Sequence, residues 1–243
     1  MKARWRLPIR IDGEEWLDQG HGTPEAIDQS LADLSRINRW LGGTRGLAIH
    51  LFPRIRGCRA EEVRVLDLGA GGCTIPQTLA RWARRENIPF HIFALDLRRA
   101  HLRWARRNVQ PWPEIAFVQG DVLAPPVSEG SVDFVISSLF LHHFNAEALI
   151  QVLPTWVRLA RRSLIMTDLV RHPLPYWFMK AASPVFAHSA ITRHDAAVSI
   201  RRAYRPQELQ RIANDAGFAQ ARVYAYFPYR MTLVIDRLGP EPT

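Results

Sequence analysis

The sequence predicts an α/β protein built on a doubly wound, mostly parallel sheet. Over residues 61–168, buried-strand runs such as "VRVLDL" and "FHIFALDL" alternate with helical segments such as "TIPQTLARWARRE" and "AHLRWARRNV". Strands separated by helices need right-handed crossovers, and these give a parallel sheet covered on both faces. A chain of 243 residues is long enough for one sizeable core with an extension.

Residues 1–60 are predicted to form an N-terminal helical extension or lid ahead of a main domain at residues 61–243. In "TPEAIDQSLADLSRINRWLGG", Thr23 is placed as an N-cap, Pro24 holds the first helical position, and Gly42-Gly43 marks the end. The apolar residues between them recur at helical spacing, so one face of this helix must pack on another part of the chain.

The alternation of predicted strands and helices stops at about residues 170–204, where prolines occur among aromatic residues. We interpret this segment as an insertion that covers the substrate. After it, "RPQELQRIANDAGF" is predicted to be a helix. The stretch "ARVYAYFPYRMTLVIDR" is predicted to form two strands on either side of Phe227-Pro228.

Composition excludes several classes of protein. The chain contains no run of eighteen apolar residues, so no membrane span is expected, and its first residues lack the continuous apolar segment of a secretory signal. Cys58 and Cys73 form no CxxC pair, so neither a disulfide framework nor a zinc site is predicted, and a cytoplasmic location is favoured.

The net charge of +9 admits two interpretations. A basic surface can bind nucleic acid, anionic lipid or an acidic substrate. The alternative is a composition in which arginine replaces lysine, with pairs such as Arg84-Arg85 and Arg106-Arg107 on solvated helix faces. We favour the solvated faces, which argues against a nucleic-acid partner.

The stretch "VLDLGAGGCTIP" at residues 65–76 carries a glycine turn directly after a strand. Gly69 and Gly71 permit positive φ and let a ligand approach bare backbone at the carboxyl edge of the sheet. A nicotinamide fingerprint, GxGxxG, is incomplete because Thr74 replaces its last glycine. Asp67 would repel a pyrophosphate at this turn and favours a cationic ligand.

Two more acids end neighbouring strands, Asp96 in "ALDL" and Asp121 in "VQGD". Together with "VLDLGAGGCTIP" and "VDFVISSLFLHHF", these segments resemble the successive motifs of class I S-adenosylmethionine-dependent methyltransferases. The resemblance covers roughly residues 60–236 and is specific because four motifs occur in order. It implies a Rossmann-like, seven-stranded sheet whose last strand is antiparallel.

The resemblance also implies how the cofactor, S-adenosylmethionine, is held. In the family, the acid corresponding to Asp96 binds the ribose hydroxyls, and the one corresponding to Asp121 meets the adenine amino group. Val122 packs on or beside the ring, and Asp67 lies near the methionine ammonium. The expected cofactor contacts are Asp67, Gly69, Ala70, Gly71, Asp96, Leu97, Asp121, Val122 and Ser137.

His142 and His143 follow the fourth strand, beside the site of transfer in this fold. An oxygen or carbon acceptor must lose a proton, so one of these histidines is a candidate general base. The alternative is that one caps the next helix and the other packs under the cofactor. Aromatic and polar residues of the insertion and its end are expected to bind the acceptor: Tyr176, Trp177, His188, His194 and Tyr204.

Within the family, "SLFLHHF" and the N-terminal helices resemble small-molecule methyltransferases, including those of quinone biosynthesis. The expected acceptor is therefore small and apolar or aromatic, and a peripheral membrane contact stays open if it is a lipid. Enzymes that methylate exocyclic base amines carry [DN]PP[YF] where this chain has "SSLF". Methylation of RNA ribose or of protein, and a non-catalytic partner subunit, remain as alternatives, and no oligomeric state is predicted.

Overall fold

The computed structural model describes residues 9–40, 42–58, 60–108 and 112–237. Residues 1–8 of the predicted extension lie outside these ranges. No helix within the described ranges is both long enough and apolar enough to cross a bilayer.

Within the described residues, seven strands form one sheet in the order β3-β2-β1-β4-β5-β7-β6. Strands β1 to β5 are mutually parallel, and β7 runs antiparallel to both of its neighbours. This confirms the predicted fold, including the antiparallel last strand. The strands are β1 Val63–Leu68, β2 Phe90–Asp96, β3 Ile115–Gln119, β4 Val132–Ser138, β5 Ala160–Leu169, β6 Arg222–Tyr226 and β7 Arg230–Asp236.

Helices connect the strands and precede the sheet. The described residues up to 58 contain three helices, where a helical extension is predicted, and a short 3₁₀ turn at Leu141–His143 follows β4. The helices are α1 Trp16–Gln19, α2 Pro24–Trp40, α3 Arg45–Arg56, α4 Thr74–Arg85, α5 Arg99–Asn108, α6 Ala146–Leu159, α7 Pro173–Phe186, α8 Ala190–Arg202 and α9 Pro206–Asp215.

Apolar residues cover both faces of the sheet. On one face, Trp156 and Leu153 of α6 are fully buried against strand residues such as Met231. On the other face, Leu47 and Leu51 of α3 are buried among strand residues. A sheet sealed on both faces leaves its edges for a ligand, and in parallel sheets ligands bind at the carboxyl edge.

The N-terminal helices α1 and α2 pack on α8 and, with α7, form what we call the helical cap. The cap shares a small apolar cluster with Trp104 of α5, in which Leu17, Leu31 and Ile191 are buried. Asp195 of α8 accepts hydrogen bonds from the backbone N–H groups of Trp16 at 2.9 Å and Leu17 at 3.0 Å. The first turn of α1 is therefore held by a side chain 178 residues further along the chain.

Candidate active site

A cavity of about 910 Å³ lies between the carboxyl edge of the sheet and the helical cap. Strand ends contribute its floor, and α1, α2, α7 and α8 contribute the opposite wall. The volume lies toward the upper end of the range for small-molecule sites. The cavity therefore has room for two ligands side by side.

The glycine turn after β1 is fixed by the neighbouring strand. The backbone N–H groups of Gly69 and Ala70 both donate to the carbonyl of Leu95 at 2.9 Å. Gly69 has φ +70°, and a Cβ there would lie 2.5 Å from Cδ2 of Phe140. Gly71 has φ +51°, and a Cβ there would meet nothing within 4 Å. One glycine is thus required by packing, while the other leaves open backbone at the cavity wall.

Asp96 holds the turn from the end of β2. One carboxylate oxygen accepts from the N–H of Gly71 at 2.8 Å, and the other accepts from the N–H of Arg98 at 2.8 Å. The Nδ1 atom of His101 lies 3.2 Å from the second oxygen. Asp96 lines the cavity, so the same carboxylate shapes the glycine turn and faces the ligand space.

Asp67 is buried at the end of β1 and lines the cavity. Its carboxylate has no hydrogen-bond partner within the described part of the chain. Burial raises the pKa of Asp67 well above its ordinary value, and the negative charge of Asp96 raises it further. A buried carboxylate in this state would be stabilised in its charged form by a cationic ligand.

The remaining predicted cofactor residues lie around the same space, with one exception. Asp121 is exposed, and one of its oxygens accepts from the N–H of Leu123 at 2.9 Å. Val122 is buried, and its carbonyl accepts from Nε1 of Trp156 at 2.8 Å. Ser137 is buried within β4 and does not line the cavity, whereas the next residue, Ser138, does.

His142 lies between two carboxylates. Its Nδ1 is 2.8 Å from Asp168, its backbone N–H donates to the other oxygen of Asp168 at 2.9 Å, and its Nε2 is 3.2 Å from Glu15. Burial alone would lower the pKa of His142, but Asp168 and Glu15 outweigh it and raise the pKa to about 10. His142 is therefore an imidazolium at neutral pH and joins the sheet to the N-terminal segment.

His143 has one nitrogen bound and one open. Its Nδ1 lies 2.5 Å from Asp18 of α1, and its Nε2 has no hydrogen bond to any residue that the structure describes. The ring lines the cavity and its side chain keeps 17% of its surface exposed. Burial raises the pKa of Asp18, but the hydrogen bond with His143 outweighs this and lowers it, so Asp18 stays ionised.

Glu15, His142 and His143 place one ligand atom each within 4.8 Å of one another. These residue types can hold a metal ion. However, a metal needs a free nitrogen lone pair, and both nitrogens of His142 already face carboxylates. The arrangement is thus that of an ion-pair network.

The residues predicted to bind the acceptor do not line the cavity. Tyr176 and Trp177 of α7 lie beside the ammonium group of Lys180. His188 is exposed and contacts Arg36, and His194 stacks on Trp16 with ring centroids 3.9 Å apart. The hydroxyl of Tyr204 is turned inward and donates to the carbonyl of Phe144 at 2.8 Å.

Other residues of α7 and of the N-terminal helices line the cavity instead. Leu174, Pro175, Phe178 and Met179 line the cavity, at the i, i+1, i+4 and i+5 positions of one face of α7. Glu15, Asp18 and Arg230 also line it, and sequence reasoning missed all three. Nothing in their local sequence marks these charged residues, because their significance arises only when distant segments meet.

Comparisons with known proteins agree with this geometry. Residues 65–163 match a family model described as a methyltransferase domain. No curated protein sequence matches the chain. At the low identities given below, a likeness between structures shows a common fold.

Three solved structures illustrate that likeness. A SAM-dependent methyltransferase from Aquifex aeolicus has a TM-score of 0.52 and 16% identity over 83% of this chain and 97% of that one. Human N-acetylserotonin methyltransferase in complex with SAM has a TM-score of 0.62 and 12% identity over 93% of this chain and 63% of that one. The plantazolicin methyltransferase BamL, in complex with a triazolic desmethylPZN analog and SAH, has a TM-score of 0.61 and 14% identity over 89% of this chain and 100% of that one.

Proposed function

We propose that the chain is a class I S-adenosylmethionine-dependent methyltransferase and that it methylates an oxygen or carbon of a small, apolar or aromatic acceptor. One observation carries this proposal. A single cavity joins the strand-end acids of β1 and β2 to a histidine that is held by a carboxylate and has one free nitrogen. The first group of residues suits the cofactor, and the second suits an acceptor that must lose a proton.

The residues present fit S-adenosylmethionine. Asp67, a buried carboxylate with no partner among the described residues, would hold the methionine ammonium, and the open backbone of Gly71 lets the cofactor approach closely. Asp96 would bind the ribose hydroxyls, and Asp121 the adenine amino group. When bound, this cofactor supplies an electrophilic methyl group on its sulfonium.

His143 is our candidate for the general base. In its neutral form it donates Nδ1–H to Asp18, so the lone pair on Nε2 is free to take a proton from an O–H or an acidic C–H of the acceptor. Asp18 then stabilises the imidazolium that forms, as a carboxylate does for histidine in other proton-transfer sites. His142 already carries its proton at neutral pH, so we assign it a positioning role.

The apolar residues of the cavity support the class of acceptor. Leu174, Phe178 and Met179 of α7 face the ligand space, and Phe140 and Ile200 contribute further apolar surface. A mostly apolar wall with a few polar groups is typical of small-molecule sites. We also propose a cytoplasmic location, since Cys58 and Cys73 are both free thiols.

The test begins with a thermal-shift titration with S-adenosylhomocysteine, using NAD as the control nucleotide. A ligand at 100 times its dissociation constant adds about 2.7 kcal/mol to the free energy of unfolding, so a raised Tm is expected with the homocysteine compound alone. A shift with NAD, or with neither ligand, would contradict the proposed cofactor site.

Transfer of a labelled methyl group to a panel of phenols and enolisable ketones then tests the base. We expect His143→Ala to lower kcat by about 10²-fold or more while leaving the affinity for S-adenosylhomocysteine unchanged. His188→Ala is the matched control, because His188 is exposed and does not line the cavity. Equal turnover by the two variants would remove His143 from the mechanism.

A further inference from the structure

Arg230 is a buried arginine at the wall of the cavity that the proposed mechanism does not use. It is the first residue of β7, it pairs with Leu169 of β5 and Tyr226 of β6, and only 4% of its surface is exposed. Its Nη1 atom is buried and has no hydrogen-bond partner within the described residues. Burial lowers the pKa of Arg230 to about 10, so the guanidinium still carries its charge at neutral pH.

The nearby carboxylate does not satisfy these donors. Asp168 attracts Arg230 electrostatically, but its oxygens already accept from Nδ1 and the backbone N–H of His142 and from the N–H of Leu169 at 2.6 Å. No ion pair within 4.0 Å joins Arg230 to any acid of the described chain. A buried N–H without an acceptor costs free energy, which a ligand oxygen would recover.

Two other buried arginines show what a structural role looks like in this protein. Arg171 donates to the carbonyl of Ala203 at 2.9 Å and to Glu208 at 2.7 Å. Arg202 donates to the carbonyls of His142 at 3.1 Å and His143 at 2.8 Å. Neither residue lines the cavity. The Nε atom of Arg171 is also buried without a partner, but the Arg230 side chain makes no hydrogen bond to any described residue and lines the cavity, so it differs from both.

Arg230 lies in the half of the cavity away from the nucleoside-binding acids. Between β1, which carries Asp67, and β7 stand β4 and β5, so three inter-strand spacings, roughly 14 Å, separate the two strands. The residues just before it, Phe227 to Tyr229, and its pairing partner Leu169 line the cavity as well. This is the side on which β5 ends, next to β4, and the turn that carries His143 directly follows β4.

We propose that Arg230 binds a carboxylate of the acceptor, so that the substrate is an apolar molecule carrying one carboxylate group. This inference rests on the proposed function, because it assumes that the acceptor occupies this half of the cavity. A planar guanidinium presents paired N–H donors that match the two oxygens of a carboxylate. The apolar face of α7 would hold the rest of the molecule, and Arg230 would set its orientation relative to His143.

The experiment measures binding of two matched probes, 3-phenylpropanoate and its neutral amide, to the full chain saturated with S-adenosylhomocysteine. We expect the carboxylate to bind about tenfold or more tightly than the amide by calorimetry. In Arg230→Met this preference should disappear through a loss of carboxylate affinity alone. Arg230→Lys, which keeps the charge without the fork, should retain part of the preference and covers the case in which Arg230→Met does not fold.

Arg171→Met is the control, since it removes a buried arginine outside the cavity and should keep the full preference. Equal or absent binding of the two probes to the wild-type chain would overturn the proposal, as would a preference that survives in Arg230→Met. A loss of S-adenosylhomocysteine affinity in Arg230→Met would assign the arginine to the cofactor's own carboxylate and overturn it too. If the wild-type chain does not bind S-adenosylhomocysteine, the proposed function fails, while the probe comparison without it still tests Arg230.

Discussion

The adjacent residues His142 and His143 have different roles, because different carboxylates contact their rings. His142 and His143 have ring centroids 4.3 Å apart and both line the cavity, yet both nitrogens of His142 face carboxylates, while Nε2 of His143 has no partner among the described residues. An imidazolium between two buried carboxylates stabilises the folded state but has no free lone pair. The sequence "HH" can thus predict a catalytic histidine without telling which one it is.

His142→Gln should make this stabilising role measurable through its pH dependence. The folded-state pKa of about 10 exceeds the ordinary 6.5, so the contribution of His142 to stability is complete below pH 6.5 and is lost as the pH rises toward 10. We expect the variant to be less stable than the wild type by about 3 kcal/mol in urea unfolding below pH 6.5. The difference should shrink steadily toward pH 10, and a gap that does not change with pH would exclude a buried imidazolium.

Asp96→Asn should weaken cofactor binding without unfolding the chain. The amide would lose the charge that favours ribose hydroxyls and would turn an N–H₂ toward the backbone N–H of Gly71 or Arg98. We expect S-adenosylhomocysteine to bind about tenfold or more weakly in calorimetry. Asp133→Asn is the control, because Asp133 is also buried but lies at the start of β4, at the opposite edge of the sheet. Unchanged affinity in Asp96→Asn would remove the ribose assignment.

At the scale of an element, the glycine turn offers a matched pair of substitutions. Ala at residue 69 or 71 would place a side chain at positive φ, but only at residue 69 would the new methyl group meet Phe140. We expect Gly69→Ala to lose about 1–3 kcal/mol more stability than Gly71→Ala in urea unfolding, since the ring must move. If the two variants lose the same stability, strain at positive φ explains both and the contact with Phe140 is unimportant.

Helix α1 is four residues long and depends on tertiary contacts for its stability. Asp195→Ala removes the acceptor of two of its backbone N–H groups, so we expect fast amide exchange at residues 16–20 with unchanged exchange in β5. Because α1 carries Asp18 to His143, kcat should fall while S-adenosylhomocysteine affinity persists. The surface variant Asp28→Asn serves as control, and full protection of α1 in Asp195→Ala would contradict this account.

The elements could be predicted from the sequence because their signals are local. Strand runs, helical periodicity, and the turn residues Gly69 and Gly71 depend on neighbours a few positions away. The site was predictable only where it lies at strand ends, as for Asp67 and Asp96. The partners of the two histidines were not, since Glu15 and Asp18 reach them across more than a hundred residues of chain. The sequence also could not predict which side of α7 lines the cavity, because apolar and aromatic residues follow one another along the whole helix.

The charge of +9 belongs to the molecule as a whole, and its distribution bears on the alternative of RNA methylation. Many surface arginines are paired with nearby acids, so positive charge is interrupted across the described surface. Exposed pairs of this kind add little stability, but they weaken the local field. They include Arg54–Asp236, Arg56–Glu86, Arg84–Glu114, Arg107–Asp28 and Arg158–Glu129.

We therefore expect weak binding to nucleic acid despite the high pI. A non-specific nucleic-acid-binding surface gives dissociation constants of about 10⁻⁴ to 10⁻⁶ M at physiological salt, with a steep dependence of affinity on salt concentration. Fluorescence anisotropy with a labelled single-stranded RNA should show no saturation at about 10⁻⁵ M protein under those conditions. Arg84→Glu, which reverses one charge beside Glu114, should leave the signal unchanged. Saturable binding would restore RNA as a substrate class if its dependence on salt were weaker in this variant. The slope of log affinity against log salt concentration falls by about one for each phosphate-binding cation that is removed.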